Sequence, residues 1–250
     1  MIRAIGRAGR RAACAAFLIA AVMGPACAWA AGGDKDDKAP LVVIADLNHD
    51  GIADMIEAVP PADGSRTGVL KISLGEAGGG FRLASSQAVL GAAPRAMVTG
   101  DFNGDGVPDV IVGDDDGTLR LFLGDGKGGL VRGKDPGGLD SVVSIAVADF
   151  DRDGKADIAV SDWRGGLVAI FLGDGKGSFR RGWSFHLRMP GTVAMVSAAD
   201  FNGDGIPDLA VVYGDDDGYT FDVMVGDGNG VFVRSPELSF AQDPNAHCPA

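Results

Sequence analysis

The sequence predicts an all-β fold of four successive four-stranded antiparallel sheets, arranged like the blades of a propeller. An acidic nine-residue pattern occurs four times, at intervals of 55, 48 and 51 residues. Each copy lies between short β-branched or aromatic stretches that are bounded by glycine, aspartate or proline, as strands are. Helical periodicity is absent after residue 40. A repeat near fifty residues is typical of a propeller or a solenoid.

The first thirty residues predict a secretory signal peptide that is removed after Ala30. Four arginines are followed by an apolar run from Ala12 to Met23 and then by the small-x-small pattern of residues 28–30. The apolar run is too short to anchor the chain in a bilayer, and no later stretch approaches the required length. A twin-arginine signal at Arg10-Arg11 and lipidation at Cys27 are alternatives that fit the neighbouring residues less well. We therefore expect a secreted or periplasmic protein.

Net charge limits the kinds of partner that the protein can bind, and the cysteine and glycine content limits how the fold is stabilised. The chain has a net charge of −12, and losing four arginines and no acids would leave −16. Such a surface repels nucleic acid and anionic lipid headgroups but suits a cation. Cys248 would be the only remaining thiol, so no internal disulfide is expected. The 40 glycines predict many tight turns.

The domain boundaries follow from the repeats. Residues 31–40 predict a disordered N-terminal segment, 41–240 the repeat domain and 241–250 a flexible tail. The four blades are expected at about 41–90, 94–138, 141–188 and 192–240.

Each element of a blade is justified by its composition, as the second repeat illustrates. An apolar stretch, AMVTG, ends at residue 100, and the acidic loop 101–109 follows it. VIVG and, after a turn, LRLFLG predict the second and third strands. A glycine-rich turn, DGKGGL, then leads into a more polar fourth strand.

The acidic loop predicts a site for a hard divalent cation. In DFNGDGVPD, oxygen-bearing side chains occupy positions 1, 3, 5 and 9, and glycine at position 6 permits a sharp turn. Calcium takes six to eight oxygen ligands at about 2.3–2.6 Å, and its charge would cancel the repulsion between the carboxylates. The predicted side-chain ligands are Asp46, Asn48, Asp50, Asp54, Asp101, Asn103, Asp105, Asp109, Asp149, Asp151, Asp153, Asp157, Asp200, Asn202, Asp204 and Asp208. The predicted carbonyl ligands are those of Ile52, Val107, Lys155 and Ile206. We expect about four Ca²⁺ sites.

Two other structures are compatible with parts of this pattern. The first copy, with Glu57 at its twelfth position, also fits an EF-hand loop, but the segments on either side look like strands rather than helices. Valine stands at that position in the other copies, which favours Asp54 over Glu57 as the ligand. A solvated hairpin held by Asx-turns explains any single copy equally well. Four copies with the same ligand positions favour metal.

The motif D-F-N-G-D-G-x-P-D, followed by an aliphatic strand and L-G-D-G-K-G-x-F, resembles the FG-GAP and VCBS repeats of integrin-alpha-type β-propellers. The resemblance covers about 41–235 and implies Ca²⁺ in the loop between the first and second strands of each blade, here 46–54, 101–109, 149–157 and 200–208.

Integrin-type wheels have seven blades, whereas this chain has four repeats. A closed four-bladed ring is favoured over an open arc. An arc would expose a sheet face at each end and promote oligomerisation.

A partner surface is expected on the face opposite the acidic loops, where the turns between second and third strands lie. Trp163 beside Arg164 is suited to stacking on a sugar or to anchoring a protein, although packing against a neighbouring blade explains it equally well. Trp183 and His186 are expected to pack, and His49 to point outward. The partner is therefore an unidentified protein or glycan.

The sequence shows no set of residues typical of catalysis and no organic-cofactor motif. The mature histidines are scattered, and no nucleophile elbow or phosphate loop has the required spacing. The favoured hypothesis is a secreted Ca²⁺-binding adhesion or interaction module. A polysaccharide-acting enzyme and a purely structural envelope protein remain as alternatives, and the enzyme would draw two carboxylates from Glu57, Glu76, Asp140 and Glu237.

Overall fold

The computed structural model describes residues 27–29, 39–61, 68–91, 93–187, 195–215 and 218–241. The rest of the predicted signal peptide, most of the predicted disordered segment and the tail after residue 241 lie outside the described residues. Across the ranges that are described, no helix has the length and apolar character needed to cross a membrane.

The fold is all-β, as predicted, and consists of four antiparallel sheets in chain order. Within each sheet the strands follow one another as hairpins. The first sheet comprises β2 (Leu41–Ala45), β3 (Asp54–Val59), β4 (Gly68–Gly75) and β5 (Phe81–Leu90). The third comprises β11 (Val142–Ala148), β12 (Asp157–Asp162), β13 (Leu167–Gly173) and β14 (Phe179–His186). The fourth comprises β15 (Met195–Ala199), β16 (Asp208–Asp215), β17 (Gly218–Gly226) and β18 (Phe232–Ala241).

The second sheet has the same core with two additions. Its strands are β6 (Pro94–Gly100), β7 (Asp109–Asp114), β8 (Thr118–Gly124), β9 (Leu130–Arg132) and β10 (Gly137–Gly138). Both β9 and β10 pair with β8, because the intervening Gly133-Lys134-Asp135-Pro136 breaks the predicted fourth strand in two. On the opposite edge, β1 (Cys27–Trp29) pairs antiparallel with β6. Cleavage after Ala30 would remove β1.

Burial along the strands reflects the position of each sheet. In β7 and β12 every residue is buried, because the second and third sheets are covered on both faces. In β3 of the first sheet, buried and half-buried residues alternate, since only one face packs against a neighbour. Three apolar cores therefore fill the three spaces between successive sheets.

The four sheets form an open arc and do not close into a ring. The first strands contact one another in the order β2, β6, β11 and β15. The closed four-bladed ring favoured by the sequence is therefore wrong. The free face of the first sheet carries Glu57 opposite Lys71, where the other sheets bury Val112, Val160 and Val211. Burying this charge pair in a fourth apolar interface would carry a desolvation cost.

Candidate metal centre

Each acidic loop is wrapped around the carboxylate of its first aspartate. In the second loop, Asp101 accepts the backbone N–H groups of Gly104 at 2.7 Å and Gly106 at 2.9 Å. Both glycines have positive φ, of 77° and 83°, which turns their amides toward the carboxylate. The other loops bind their first aspartate with the same sixth-position amide, at 2.8 to 2.9 Å.

The third and fifth positions complete a compact group of oxygens. In the second loop the Asn103 amide donates to Asp105 at 2.9 Å, and its oxygen accepts the Asp105 backbone N–H at 3.0 Å. The fifth aspartate also accepts the backbone N–H of the seventh residue, Val107, at 2.8 Å. The first and fourth loops repeat these contacts. The predicted carbonyl role of the seventh residue stays a prediction.

The ninth aspartate is buried and ties the loop to the sheet. Asp109 accepts the backbone N–H of Phe102 at 2.8 Å and that of Gly124, the last residue of β8, at 2.9 Å. Asp54, Asp157 and Asp208 make the same two contacts in their own sheets. Burial raises the pKa of Asp109 and of Asp157 to about 6, although the two backbone N–H groups oppose this shift.

Sequence reasoning missed this second role of the ninth aspartate. The signal was a glycine that ends the third strand of every repeat: Gly75, Gly124, Gly173 and Gly226. A Cβ on Gly124 would lie 2.5 Å from the Pro108 carbonyl oxygen, and the other three would meet the corresponding carbonyl. Only glycine therefore lets this strand end approach the loop and donate to the aspartate.

The third loop fits a cation best. Ligand oxygens of Asp149, Asp151 and Asp153 all lie within 4.8 Å of one another. The Oδ1 atom of Asp151 is buried and has no hydrogen-bond partner in the structure. Burial, together with the nearby Asp153, raises the pKa of Asp151. A divalent cation would supply the missing partner and offset the repulsion, so this donor set fits calcium.

Lys155 already partly neutralises the third loop. Its Nζ donates to Asp153 at 2.7 Å, and this hydrogen bond lowers the pKa of Asp153. Valine or isoleucine stands at this seventh position in the other loops. Those loops carry asparagine in place of Asp151, so they have one negative charge fewer and no lysine.

The loops also contact the neighbouring sheet. The Phe102 carbonyl accepts the N–H of Gly177, in the glycine-rich turn of the third sheet, at 2.9 Å. The Phe102 ring packs edge-on against Phe179, with ring centroids 5.7 Å apart. The acidic loops and the glycine-rich turns therefore share one side of the arc, as expected, and each internal loop links two sheets.

On the opposite side of the arc, Trp163 is 38% exposed at the turn after β12, beside the exposed Arg164. His186 is exposed, with its Nδ1 atom 3.3 Å from the Gly165 carbonyl oxygen. Trp183 packs as predicted, its ring lying 5.0 Å from Phe185 and 5.7 Å from the Phe232 ring of the fourth sheet. Trp163 and Arg164 thus remain the candidate contact residues.

The remaining sequence candidates are separated in the fold. Glu57 lies in β3, Glu76 in the turn after β4, Asp140 before β11 and Glu237 in β18. His49 is exposed, as expected, with a φ of 58°. Among the turns between second and third strands, residues 62–64 and 216–217 lie outside the described residues. In the described ranges, Asp149, Asp151 and Asp153 form the one group of three or more acidic side chains that converge.

Comparison with known proteins agrees with the repeat pattern. The family model of the FG-GAP-like repeat matches residues 46–112, 101–160 and 149–211, which together cover well over half of the chain. Cartilage acidic protein 1 of Xenopus tropicalis is 32% identical over 116 residues. That match covers 44% of this chain and 18% of the relative, so the chain corresponds to less than a fifth of that protein.

A solved structure resembles the fold. A chain in the crystal structure of BBS1N in complex with ARL6DN, soaked with lead, aligns with a TM-score of 0.51 and 15% identity. The alignment covers 78% of this chain and 56% of that chain. That structure is of the β-propeller type, and at this level of identity it supports the fold alone.

Proposed function

The chain belongs to the FG-GAP-like repeat family, and from this we propose that it is an exported, calcium-binding β-propeller module that binds a protein or a glycan without catalysing a reaction. The repeat family and the propeller-type fold support an interaction module. The observation that carries the calcium proposal is the convergence of Asp149, Asp151 and Asp153 around the partnerless Oδ1 of Asp151.

In each loop, the proposed cation is held by the side chains at positions 1, 3, 5 and 9 and by the carbonyl of position 7. When bound, calcium supplies positive charge that neutralises the carboxylates. The loop amides hold the first aspartate in place, and the ninth aspartate is anchored to the third strand. The metal would therefore stabilise a loop that the backbone has already shaped.

Calcium in an internal loop would also strengthen the contact between sheets. Phe102 and Phe150 lie inside two of these loops and pack against Phe179 and Phe232 of the following sheet. Ordering the loop orders these contacts, and binding that favours the folded state adds RT ln(1 + [L]/Kd) to its stability. The proposed role of the metal is to stiffen the arc.

Export supports the metal proposal. The basic and apolar N-terminal segment has the features of a secretory signal. Calcium is available outside the cytoplasm at concentrations that suit extracellular modules, whose Kd values are about 10⁻⁴–10⁻³ M. The acidic surface left after cleavage would attract the cation.

A thermal unfolding series tests the calcium proposal. Chelator-stripped protein is melted in EGTA, in millimolar CaCl₂ and in equal MgCl₂, and the Asp151→Asn variant serves as the loop control. We expect calcium to raise the Tm reversibly and more than magnesium does, with a smaller rise for the variant. Equal Tm values in EGTA and in calcium would contradict the proposal that the loops bind calcium.

The partner surface is tested separately at Trp163. Its exposed ring beside Arg164 suits a sugar or a protein side chain. We expect Trp163→Ala to lose at least tenfold in affinity for any glycan retained on an array, or for any protein cross-linked at this turn. The matched control is Val131→Ala, which changes an exposed side chain on an outer strand. Unchanged binding by Trp163→Ala would place the partner surface elsewhere.

A further inference from the structure

A buried carboxylate fixes the shape of the turn between β12 and β13, residues 163–166, on the side of the arc opposite the acidic loops. Asp162 is 1% exposed and accepts the backbone N–H groups of Asp140 at 2.8 Å and of Gly165 at 2.9 Å. This side chain therefore ties the turn to the segment that precedes β11. Because the backbone is held in this way, the exposed side chains of the turn are carried on a defined scaffold.

Three exposed side chains of different chemistry lie on this hairpin. Trp163 is 38% exposed, and its backbone N–H donates to the Ser141 carbonyl at 3.2 Å. Arg164 is exposed and makes no ion pair with any residue that the structure describes. His186 is exposed on the adjoining strand, with its Nδ1 atom 3.3 Å from the Gly165 carbonyl oxygen. The hairpin therefore combines an aromatic ring, an unpaired guanidinium group and an imidazole.

The charge of this turn is opposite in sign to that of its surroundings. The equivalent turn of the second sheet carries aspartate at residues 114–116, and that of the fourth sheet carries aspartate at 215–217. The whole chain has a net charge of −12. The acidic turns would repel a polyanion, whereas a single carboxylate placed at Arg164 interacts mainly with the guanidinium group beside it. The surface therefore favours a ligand with one negative charge over a ligand with many.

We propose that this turn binds a glycan through a single uronic acid residue. The Trp163 ring packs against the C–H face of the pyranose, and Arg164 donates two parallel hydrogen bonds to the carboxylate. Because the Nδ1–H of His186 is donated to the Gly165 carbonyl, the neutral ring presents Nε2 as an acceptor for a sugar hydroxyl. This inference rests on the proposed function and narrows its partner from a protein or a glycan to an acidic glycan.

An acidic peptide fits the turn less well than a uronic acid does. An aspartate or glutamate side chain satisfies Arg164, but it has no apolar ring face for Trp163 and no hydroxyl group for His186. A uronic acid carries the carboxylate, the apolar face and the hydroxyl groups on one rigid ring. Fewer rotatable bonds are therefore fixed when it binds.

Binding to matched pairs of glycans tests this proposal. The probes are neutral oligosaccharides that end in one glucuronic or galacturonic acid residue, and the same oligosaccharides with that carboxyl group reduced to an alcohol. We expect the acidic member of a pair to bind at least about tenfold more tightly, because it alone pairs with Arg164. A fully charged oligogalacturonate should bind more weakly than the singly charged probe, since the acidic turns repel it.

Three variants assign the contacts, and circular dichroism verifies that each is folded. Arg164→Gln keeps a polar side chain of similar length and should abolish the preference for the acidic probe while leaving the weaker neutral binding. Trp163→Ala should weaken binding of both members of a pair by at least about tenfold. The matched control is Arg181→Gln, which removes an exposed arginine from the same outer strand, five residues before His186. It should leave both affinities unchanged.

The outcomes separate this inference from the proposed function. Binding of no uronic acid probe, equal affinity for acidic and reduced probes, or a preference that survives Arg164→Gln would each overturn the inference. Binding of neutral glycans alone, or of a glutamate-rich peptide in place of the sugar, would also overturn it, yet would leave the interaction module intact. The thermal unfolding series in EGTA and calcium tests the metal sites independently of any glycan.

Discussion

The Oδ1 atom of Asp109 accepts the backbone N–H of Gly124 at 2.9 Å, which joins the end of the acidic loop to the end of the third strand. The same aspartate–glycine contact occurs in all four sheets, at 2.7 to 2.9 Å. Because the aspartate also accepts an amide from inside the loop, one buried carboxylate holds the bend between the first two strands and positions it on the sheet.

Replacing Asp109 with alanine should destabilise the fold in the absence of metal. Two backbone N–H groups would lose a carboxylate acceptor in a buried site, which we expect to cost about 3 kcal/mol. Urea unfolding in EGTA measures the change. The matched control is Asp116→Ala, which removes one exposed acceptor, that of the Thr118 N–H, and should cost less than about 1 kcal/mol. An equal decrease in the free energy of unfolding for both variants would mean that the buried carboxylate stabilises the fold no more than an exposed one does.

Asp109 and Asp157 should also titrate near neutrality without metal. The pKa of Asp109 and of Asp157 is raised by burial from 3.8 to about 6, so the folded state holds these protons more tightly than the unfolded chain does. Their contribution to stability is therefore complete below pH 3.8 and is lost as the pH rises through about 6. Carbon NMR of the two carboxyl groups in EGTA should give midpoints near 6. Midpoints near 4 would contradict the burial argument.

His49 occupies a left-handed position that glycine fills in two other loops. Its φ is 58°, and the equivalent Gly104 and Gly203 have φ values of 77° and 81°. His49→Gly should stabilise the protein by about 1 kcal/mol, because a Cβ is unfavourable in this conformation. We expect a rise in Tm of about 2–4 °C. His49→Ala keeps a Cβ and should give no such gain; a similar gain there would point to the imidazole instead of the backbone.

The calcium affinity of the third loop should fall when a negative charge is removed from it and rise when a positive charge is removed. Asp151→Asn gives it the asparagine of the other loops and should weaken binding at this site roughly tenfold, or about 1.4 kcal/mol. Lys155→Val removes the ammonium group that lies 2.7 Å from Asp153 and should strengthen binding by a similar factor. Calorimetric titration resolves the two changes. Tighter binding by Asp151→Asn, weaker binding by Lys155→Val, or an unchanged affinity in both variants would argue against a cation held by these carboxylates.

The sequence predicted the sheets well because the physical signals are local. Strand residues, glycine turns and the acidic pattern recur in each repeat, so the four-stranded units could be read from residue types alone. The interruption of the second sheet's fourth strand at Pro136 also has a local cause, although the prediction treated this strand as continuous.

Closure of the arc could not be predicted in this way. It depends on the angle between packed sheets and on which face of the first sheet receives Glu57 and Lys71. The second role of Asp109 was missed for a related reason: its partner Gly124 lies fifteen residues away, and the recurring glycine at this position does not by itself show the close approach to Pro108 that explains it. Such relationships become visible once the strands are paired in three dimensions.

Calorimetric titration of calcium into chelator-stripped protein is the most direct measurement of what the acidic loops do. We predict saturable binding of about four ions per chain at sub-millimolar to millimolar concentration, with proton release below pH 6. The absence of any calcium uptake at millimolar concentration by folded protein would contradict a metal-binding role for these loops.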